Sequence, residues 1–282
     1  MTIPTHLLND GHSIPSIGFG TYPLQGKEGY AAVRSALDTG YRLIDTAFNY
    51  ENEGMVGRAI RDFLRESGTP REDITVQTKL PGRHHDTERA IASGYESLQR
   101  LGLDQIDVML IHWPNPITGK YLEAWRGLVM LREEGIARSI GVSNFTDEHL
   151  GRIIADTDVT PVVNQIELHP LFIQEQMRAA HRQRGIATES WSPLGKRNAP
   201  FEVGAVADAA EAHGVAPAQV VLRWQVQLGN IPLPKSANAA RQAANLDVFS
   251  FELSDEEMAG ISALDRPDGR LFGGDPNTHE EM

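Results

Sequence analysis

The sequence predicts an α/β fold: a single (β/α)8 barrel of the TIM type, with an N-terminal β-hairpin and extra C-terminal helices, spanning residues 1–282 as one domain. Three observations predict it. Eight short apolar runs alternate with eight helical patterns. The runs are apolar on both faces, which calls for a parallel sheet covered by helices. No linker or low-complexity stretch divides the series, and eight units over about 260 residues fit a closed barrel better than an open sheet.

Each element has its own signal. Leu7 to Ile14 reads as a hairpin, because Asp10-Gly11 supplies the positive-φ residues of a tight turn. Strands are expected at Ser16–Tyr22, Leu43–Asp45, Ile74–Lys79, Ile106–His112, Ser139–Ser143, Val162–Glu167, Ile186–Ser190 and Ile231–Leu233. Helices are expected at Glu28–Asp38 (stopped by Gly40), Asn52–Arg65, Asp86–Leu101, Leu122–Glu134, Asp147–Ala155, Gln174–Arg184, Val203–Ala212, Ala216–Leu228 and Ala239–Asn245. A last helix, Ser254–Leu264, carries a capping box in Ser254 and Glu257. The Gly-, Pro- and Asp-rich tail from Arg266 to Met282 reads as a loop across a barrel mouth, or as a frayed end.

Composition narrows the function. The chain carries 26 basic and 38 acidic residues, a formal net charge of −12. Nucleic acid and anionic membrane are therefore poor general partners, and any anionic ligand must meet a local basic cluster. There is no cysteine, which excludes disulfides, thiolate nucleophiles and Cys-based metal sites. No signal pattern opens the chain and no run of about 18 apolar residues occurs, so a cytoplasmic location is expected. The sequon Asn144-Phe145-Thr146 is read as unmodified for the same reason. No Gly-x-Gly-x-x-Gly follows a strand and no phosphate-loop motif occurs, which disfavours a Rossmann dehydrogenase or a P-loop enzyme.

In a βα barrel the chemistry lies where the strands end. Those positions hold Asp45, Lys79, His112, Ser143-Asn144, Gln165, Glu167 and Ser190-Trp191, with Tyr50 in the loop after Asp45. Asp45, Tyr50, Lys79 and His112 suit the reduction of a carbonyl. A phenol is a slow proton donor at neutral pH, a lysine ammonium beside it favours the phenolate and lowers its pKa, an aspartate keeps that lysine charged, and a histidine orients the carbonyl.

The local sequences resemble those of the aldo-keto reductase family, most closely its bacterial branch that includes the 2,5-diketo-gluconate reductases. The resemblance rests on Gly40-Tyr41-Arg42-Leu43-Ile44-Asp45-Thr46-Ala47 with Tyr50, Asn52, Glu53, Val56 and Gly57; on Thr78-Lys79-Leu80; on the run Asp107–Pro114; on Gly141–Phe145; and on Ile231–Asn245. It implies reduction of aldehydes or ketones with NADPH, with Tyr50 as proton donor, Lys79 and Asp45 behind it, and His112 on the carbonyl. Ser143, Asn144 and Gln165 correspond to the holders of the nicotinamide carboxamide, and Trp191 to the aromatic ring stacked under it. Ser192, Leu194 and Gly195 correspond to the pyrophosphate loop. Lys235, Ser236 and Arg241 correspond to the 2′-phosphate grip, and Asn245 to an adenine contact.

The sequence departs from the family pattern at Ala244, where Glu is usual, at Asn238, where relatives often have Arg, and at Pro81, where they often have Trp. Tyr22, Pro23, Phe48 and Trp113 are candidates for the substrate pocket, which suits a small carbonyl compound with some apolar surface. No metal and no partner beyond that substrate is expected, and the branch resembled implies a monomer.

Elsewhere plainer readings are expected. His84-His85-Asp86 reads as a solvated loop leading into an N-cap, His169-Pro170 as loop, His181 and His213 as surface residues on helices, and Trp125 and Trp224 as core. Two other functions are compatible with a barrel of this kind. One is a non-catalytic cofactor-sensing subunit, disfavoured because all four reactive residues are present. The other is an isomerase or aldolase that uses Lys79 as a Schiff-base nucleophile.

Overall fold

The computed structural model describes residues 3–196, 201, 204–271 and 273–281. Val203, the expected first residue of one helix, and Met282 lie outside the described residues. A hairpin of β1 (Thr5–Leu7) and β2 (Ser13–Pro15) comes first, turning through Gly11 at φ 88°. Eight parallel strands follow: β3 (Phe19–Gly20), β4 (Leu43–Asp45), β5 (Thr75–Leu80), β6 (Ile106–Ile111), β7 (Ala137–Ser143), β8 (Val163–Glu167), β9 (Ala187–Trp191) and β10 (Ile231–Pro232), each paired with the next.

The sheet closes on itself. Gly18 N–H donates to the Pro232 carbonyl at 3.0 Å and Gly20 N–H to the Pro234 carbonyl at 3.1 Å. Prolines have no N–H, so at this seam the bonds run one way, from glycine to proline. That explains why β3 and β10 are only two residues long and why the strand expected over Ser16–Tyr22 shrinks to Phe19–Gly20.

The helices around the barrel are α1 (Gly26–Thr39), α2 (Glu53–Ser67), α3 (Thr87–Leu101), α4 (Tyr121–Glu133), α5 (Asp147–Thr157), α6 (Glu175–Arg184), α7 (Gly204–His213), α8 (Pro217–Gln227), α9 (Ala239–Leu246) and α10 (Asp255–Ser262). The expected capping box holds α10: Ser254 Oγ accepts from Glu257 N–H, and the Glu257 carboxylate accepts from Ser254 N–H at 2.7 Å. Trp125 and Trp224 are buried as expected, each indole N–H satisfied at 3.0 Å by Thr157 or Ser262.

Side chains alternate along each strand. One set packs outward under the helices; the other fills the lumen. Leu43, Val108, Leu110, Val163, Ile231 and Leu233 form the lower lumen, and Leu8 and Ile14 of the hairpin plug it from below. The hairpin is thus the floor of the barrel, below the polar layer near the carboxyl ends of the strands.

The expectations for histidines hold only in part. His181 is fully buried, its ring between Asn164 Nδ2 at 2.9 Å and Thr188 Oγ1 at 2.8 Å, because it faces the sheet from α6. His213 is half-buried on the Glu257 carboxylate at 3.1 Å. His85 is buried and His84 half-buried against Ser93 Oγ at 2.6 Å, because the chain tail covers that loop. Asp86 does stand at the cap position of α3, but its carboxylate turns to Lys120 Nζ at 2.5 Å instead of to the backbone.

Candidate active site

Above the apolar floor the inward positions turn polar. β4 presents Asp45, β5 presents Gln77 and Lys79, β8 presents Gln165, and β9 presents Glu189. Pairing puts Asp45 beside Gln77 and Gln165 beside Glu189. All five are buried, and Lys79 is among the largest fully buried side chains of the molecule. An ammonium there needs compensation, since an unpaired buried charge costs several kcal/mol or neutralises itself, by the ~3–5 kcal/mol typical of broken buried pairs.

Lys79 has that compensation. Its Nζ donates to Asp45 Oδ1 at 2.7 Å, to Asp45 Oδ2 at 2.8 Å and to the Thr46 carbonyl at 2.9 Å. Burial alone would lower its pKa, but Asp45 and the groups around it win, and it is raised. A lysine held so firmly in its charged form is a poor amine nucleophile, which removes the Schiff-base reading.

Tyr50 sits in the short 3-10 turn Phe48–Tyr50 that follows β4, and Lys79 Nζ reaches its hydroxyl at 3.5 Å. Here the structure corrects an expectation. Burial pushes the phenol up to about 12, and Lys79 pulls it down only in part. The lysine stabilises the phenolate, but less than the site's dryness disfavours it.

His112 follows β6, its ring edge-on to that of Tyr50 with centroids 5.7 Å apart. The tail does cross the barrel mouth. Glu281 places Oε1 2.6 Å from His112 Nδ1. The same carboxylate accepts from Asn49 Nδ2 at 2.7 Å and Gly82 N–H at 3.0 Å. Burial raises the Glu281 pKa, but His112 and these donors outweigh it and leave it lowered. Backbone bonds of 2.7 and 3.0 Å to Asn115 hold Glu281 in place, and Glu280 accepts from Ile117 N–H at 2.7 Å. Gly82 permits the approach, because a Cβ there would stand 2.4 Å from the Glu281 carbonyl oxygen.

The residues expected on the cofactor side line the other half of the mouth. Ser143 Oγ donates to the Gln165 carbonyl at 2.8 Å. Asn144, at φ 62°, donates through Nδ2 to the His112 carbonyl and to Ser143 Oγ, both at 3.0 Å, and accepts the Trp191 indole N–H at 2.8 Å. Trp191 is therefore anchored to a neighbour from the same expected set. Ser192, at φ 49°, and Gly195 form a tight turn closed by a 2.9 Å bond from Gly195 N–H to the Ser192 carbonyl, with Leu194 partly buried between them.

Lys235 and Arg241 are exposed at the rim, whereas Ser236 and Asn245 are buried. Asn238 is the N-cap of α9, and its side chain accepts from Arg241 N–H at 3.0 Å. Burial first, and then the charge of Lys235, lowers the pKa of Lys196.

Comparison with known proteins identifies the family. The model of the Aldo/keto reductase family matches residues 16–200 and 201–266. The chain belongs to the aldo/keto reductase family. It is 53% identical over 280 residues to 2,5-diketo-D-gluconic acid reductase B of Corynebacterium sp. (strain SHS752001), covering 99% of each chain. The solved structure of Gox0644 in its apo form superposes with a TM-score of 0.93 at 43% identity over 99% of both chains. A Bombyx mori aldo-keto reductase solved in complex with NADP superposes with a TM-score of 0.89 at 36% identity, covering 94% of each chain.

The pocket residues expected in this aldo/keto reductase divide. Tyr22 is exposed beside Tyr50, with centroids 5.1 Å apart, and Pro23 follows it. Trp113 packs against His279 of the tail, with ring centroids 4.2 Å apart and the rings tilted by 50°. Phe48 is held under the Arg100 guanidinium at 3.8 Å and beside His84, facing the helix side of its loop. Sequence reading missed Gln77, Glu189 and Glu281. Alternation carried a signal for the first two, since both are polar at inward positions two residues before Lys79 and Trp191. Nothing local marks Glu281, which reaches the site from the far end of the chain.

Deletion of residues 279–282 tests the tail's part in the site. It removes the carboxylate at His112 and the ring on Trp113, so the pocket covers less of its substrate. The KM for a small aldehyde is expected to rise at least about threefold with folding retained, because ligand sites depend on burying most of the ligand. Unchanged steady-state kinetics would show that the tail contact lies outside the working site.

Proposed function

We propose that this chain reduces aldehydes or ketones to alcohols with NADPH, Tyr50 giving up the proton. The observation that carries the reading is the chain from the buried Asp45–Lys79 pair to the half-buried Tyr50, with contacts of 2.7 and 3.5 Å, at the carboxyl ends of the barrel strands. NADPH supplies the hydride. The residues that would hold it are Ser143, Asn144 and Gln165 at the carboxamide, Trp191 under the ring, Ser192, Leu194 and Gly195 along the pyrophosphate, and Lys235, Ser236, Arg241 and Asn245 at the adenosine phosphate.

The remaining steps belong to the protein. Tyr50 and His112 converge on the space where a carbonyl oxygen would lie, and His112 orients it. As the carbonyl carbon gains hydride, charge builds on that oxygen, and Tyr50 transfers its hydroxyl proton there. An alkoxide is a far stronger base than a phenolate, so even a phenol near 12 is an adequate donor. Lys79 stabilises the phenolate left behind, and Asp45 keeps Lys79 charged. Water then restores the phenol. Small dicarbonyls, sugar-derived ketones and aromatic aldehydes are the substrates in view, and the likeness to a relative named for 2,5-diketo-D-gluconic acid supports the sugar-derived ketones.

Tyr50→Phe removes only the donor. NADPH affinity should persist while kcat falls about 10²–10⁴-fold, the usual worth of general acid catalysis. A variant that keeps more than about a tenth of wild-type kcat would exclude Tyr50 from the role.

The cofactor assignment has its own test. Lys235→Ala and Arg241→Ala should each raise the KM for NADPH about tenfold, the worth of a charge-assisted hydrogen bond, and leave the KM for NADH nearly unchanged. Equal effects on both cofactors would place these residues elsewhere than at the 2′-phosphate.

A further inference from the structure

The polar layer of the lumen contains a second carboxylate that the reaction above does not use. Glu189 is fully buried on β9. Its Oε2 accepts from Gln77 Nε2 at 2.7 Å and from Gln165 Nε2 at 2.9 Å. The same two amides donate to Asp45 Oδ1 at 2.8 and 3.0 Å. Each amide has two N–H groups, so both are spent. Asp45, Gln77, Glu189 and Gln165 form a closed ring one layer below the Lys79 ammonium.

That ring fixes an orientation. Rotating the Gln165 amide by half a turn would set its carbonyl oxygen against two carboxylate oxygens and lose both bonds, so Nε2 must face inward. Oε1 is then the atom left for a donor outside the ring. If Gln165 holds the cofactor carboxamide, it is Glu189 and Asp45 together that oblige it to do so as an acceptor of the carboxamide N–H.

We propose that Glu189 is a positioning residue for carbonyl reduction: from inside the barrel it locks the Gln165 amide for the cofactor, and its charge sets how strongly Lys79 acts on Tyr50. The inference rests on the function proposed above. The charged groups facing Glu189 are Asp45 on β4 and Lys79 on β5; β5 and β8 otherwise present the two neutral amides. Glu189 Oε1 and Gln77 Oε1 are both buried without a donor, which leaves one carboxyl oxygen available for a proton. Burial, and then the charge of Asp45, push Glu189 up to about 7, against the pull of Gln165, Gln77 and Lys79.

The sign follows. Below about 7 Glu189 is neutral, and the charges of Asp45 and Lys79 cancel. Above it the cluster gains one negative charge, the potential at Tyr50 falls, and the phenol becomes a weaker acid. The kcat for reduction should therefore drop about three- to tenfold as pH rises through neutrality, the scale of one charge acting through partly screened protein on a general acid.

The experiment compares kcat at saturating NADPH across this range in wild type and Glu189→Gln, with NADPH Kd measured for Glu189→Leu. Glu189→Gln can keep both amide bonds through its carbonyl oxygen but cannot ionise, so it should hold the acid-side rate at every pH. Glu189→Leu opens the ring, and NADPH Kd should rise at least about fivefold, the loss of one well-made hydrogen bond. A wild type without the step, a variant with the same step, or an unchanged Kd in Glu189→Leu each overturns the proposal. An infrared carboxylic-acid band that titrates near neutrality in wild type, and only through Glu189, requires no variant to be active; its absence also overturns the proposal. Failure of Tyr50 as donor would instead show in Tyr50→Phe alone and leave this band in place.

Discussion

One constraint organises the site: a lysine ammonium must stay charged inside a closed barrel. Lys79 is fully buried, so it depends on protein groups for its charge. Asp45 supplies the counter-charge with both oxygens and the Thr46 carbonyl takes a third bond. Asp45 in turn needs its remaining acceptor capacity met, which Gln77 and Gln165 do, and those amides need Glu189. Removing one member of a buried pair typically costs about 3–5 kcal/mol, because the other charge is left unmatched. The polar layer is therefore a stability burden that an all-apolar lumen would avoid, which the proposed use of its field on Tyr50 accounts for.

The same low-polarity setting explains why Tyr50 is pushed up while standing next to a cation. Desolvation and the lysine act in opposite directions, and desolvation is the larger. Such a hydroxyl stays protonated at working pH. It is a donor only to a base as strong as a forming alkoxide, which limits wasteful proton exchange with water.

Much of this was legible in the sequence. Short runs apolar on both faces and helix stop signals placed all eight barrel strands within a few residues. Asp45, Lys79 and His112 stood out because ionisable groups ended otherwise apolar strands. What was illegible had physical reasons. The fate of His181 depends on which helix face meets the sheet, and its surroundings in sequence (Met177 to Arg184) are mostly polar. The net direction of the Tyr50 shift depends on relative magnitudes that only burial reveals. Glu281 reaches His112 through tail contacts with Asn115 and Gly82, pairings that no local pattern encodes. Gln77 and Glu189 could have been found by asking which inward positions were polar, and not only which strand ends were.

The central claim is that Lys79 acts on the reaction only through Tyr50. A double-mutant cycle in kcat, comparing Tyr50→Phe, Lys79→Met and the double variant with wild type, measures that directly. If the claim holds, the double variant is no slower than Tyr50→Phe alone, within about threefold, because a lysine with no phenol to act on has nothing left to contribute. Losses that multiply across the two positions would contradict it and give Lys79 a separate part in the chemistry.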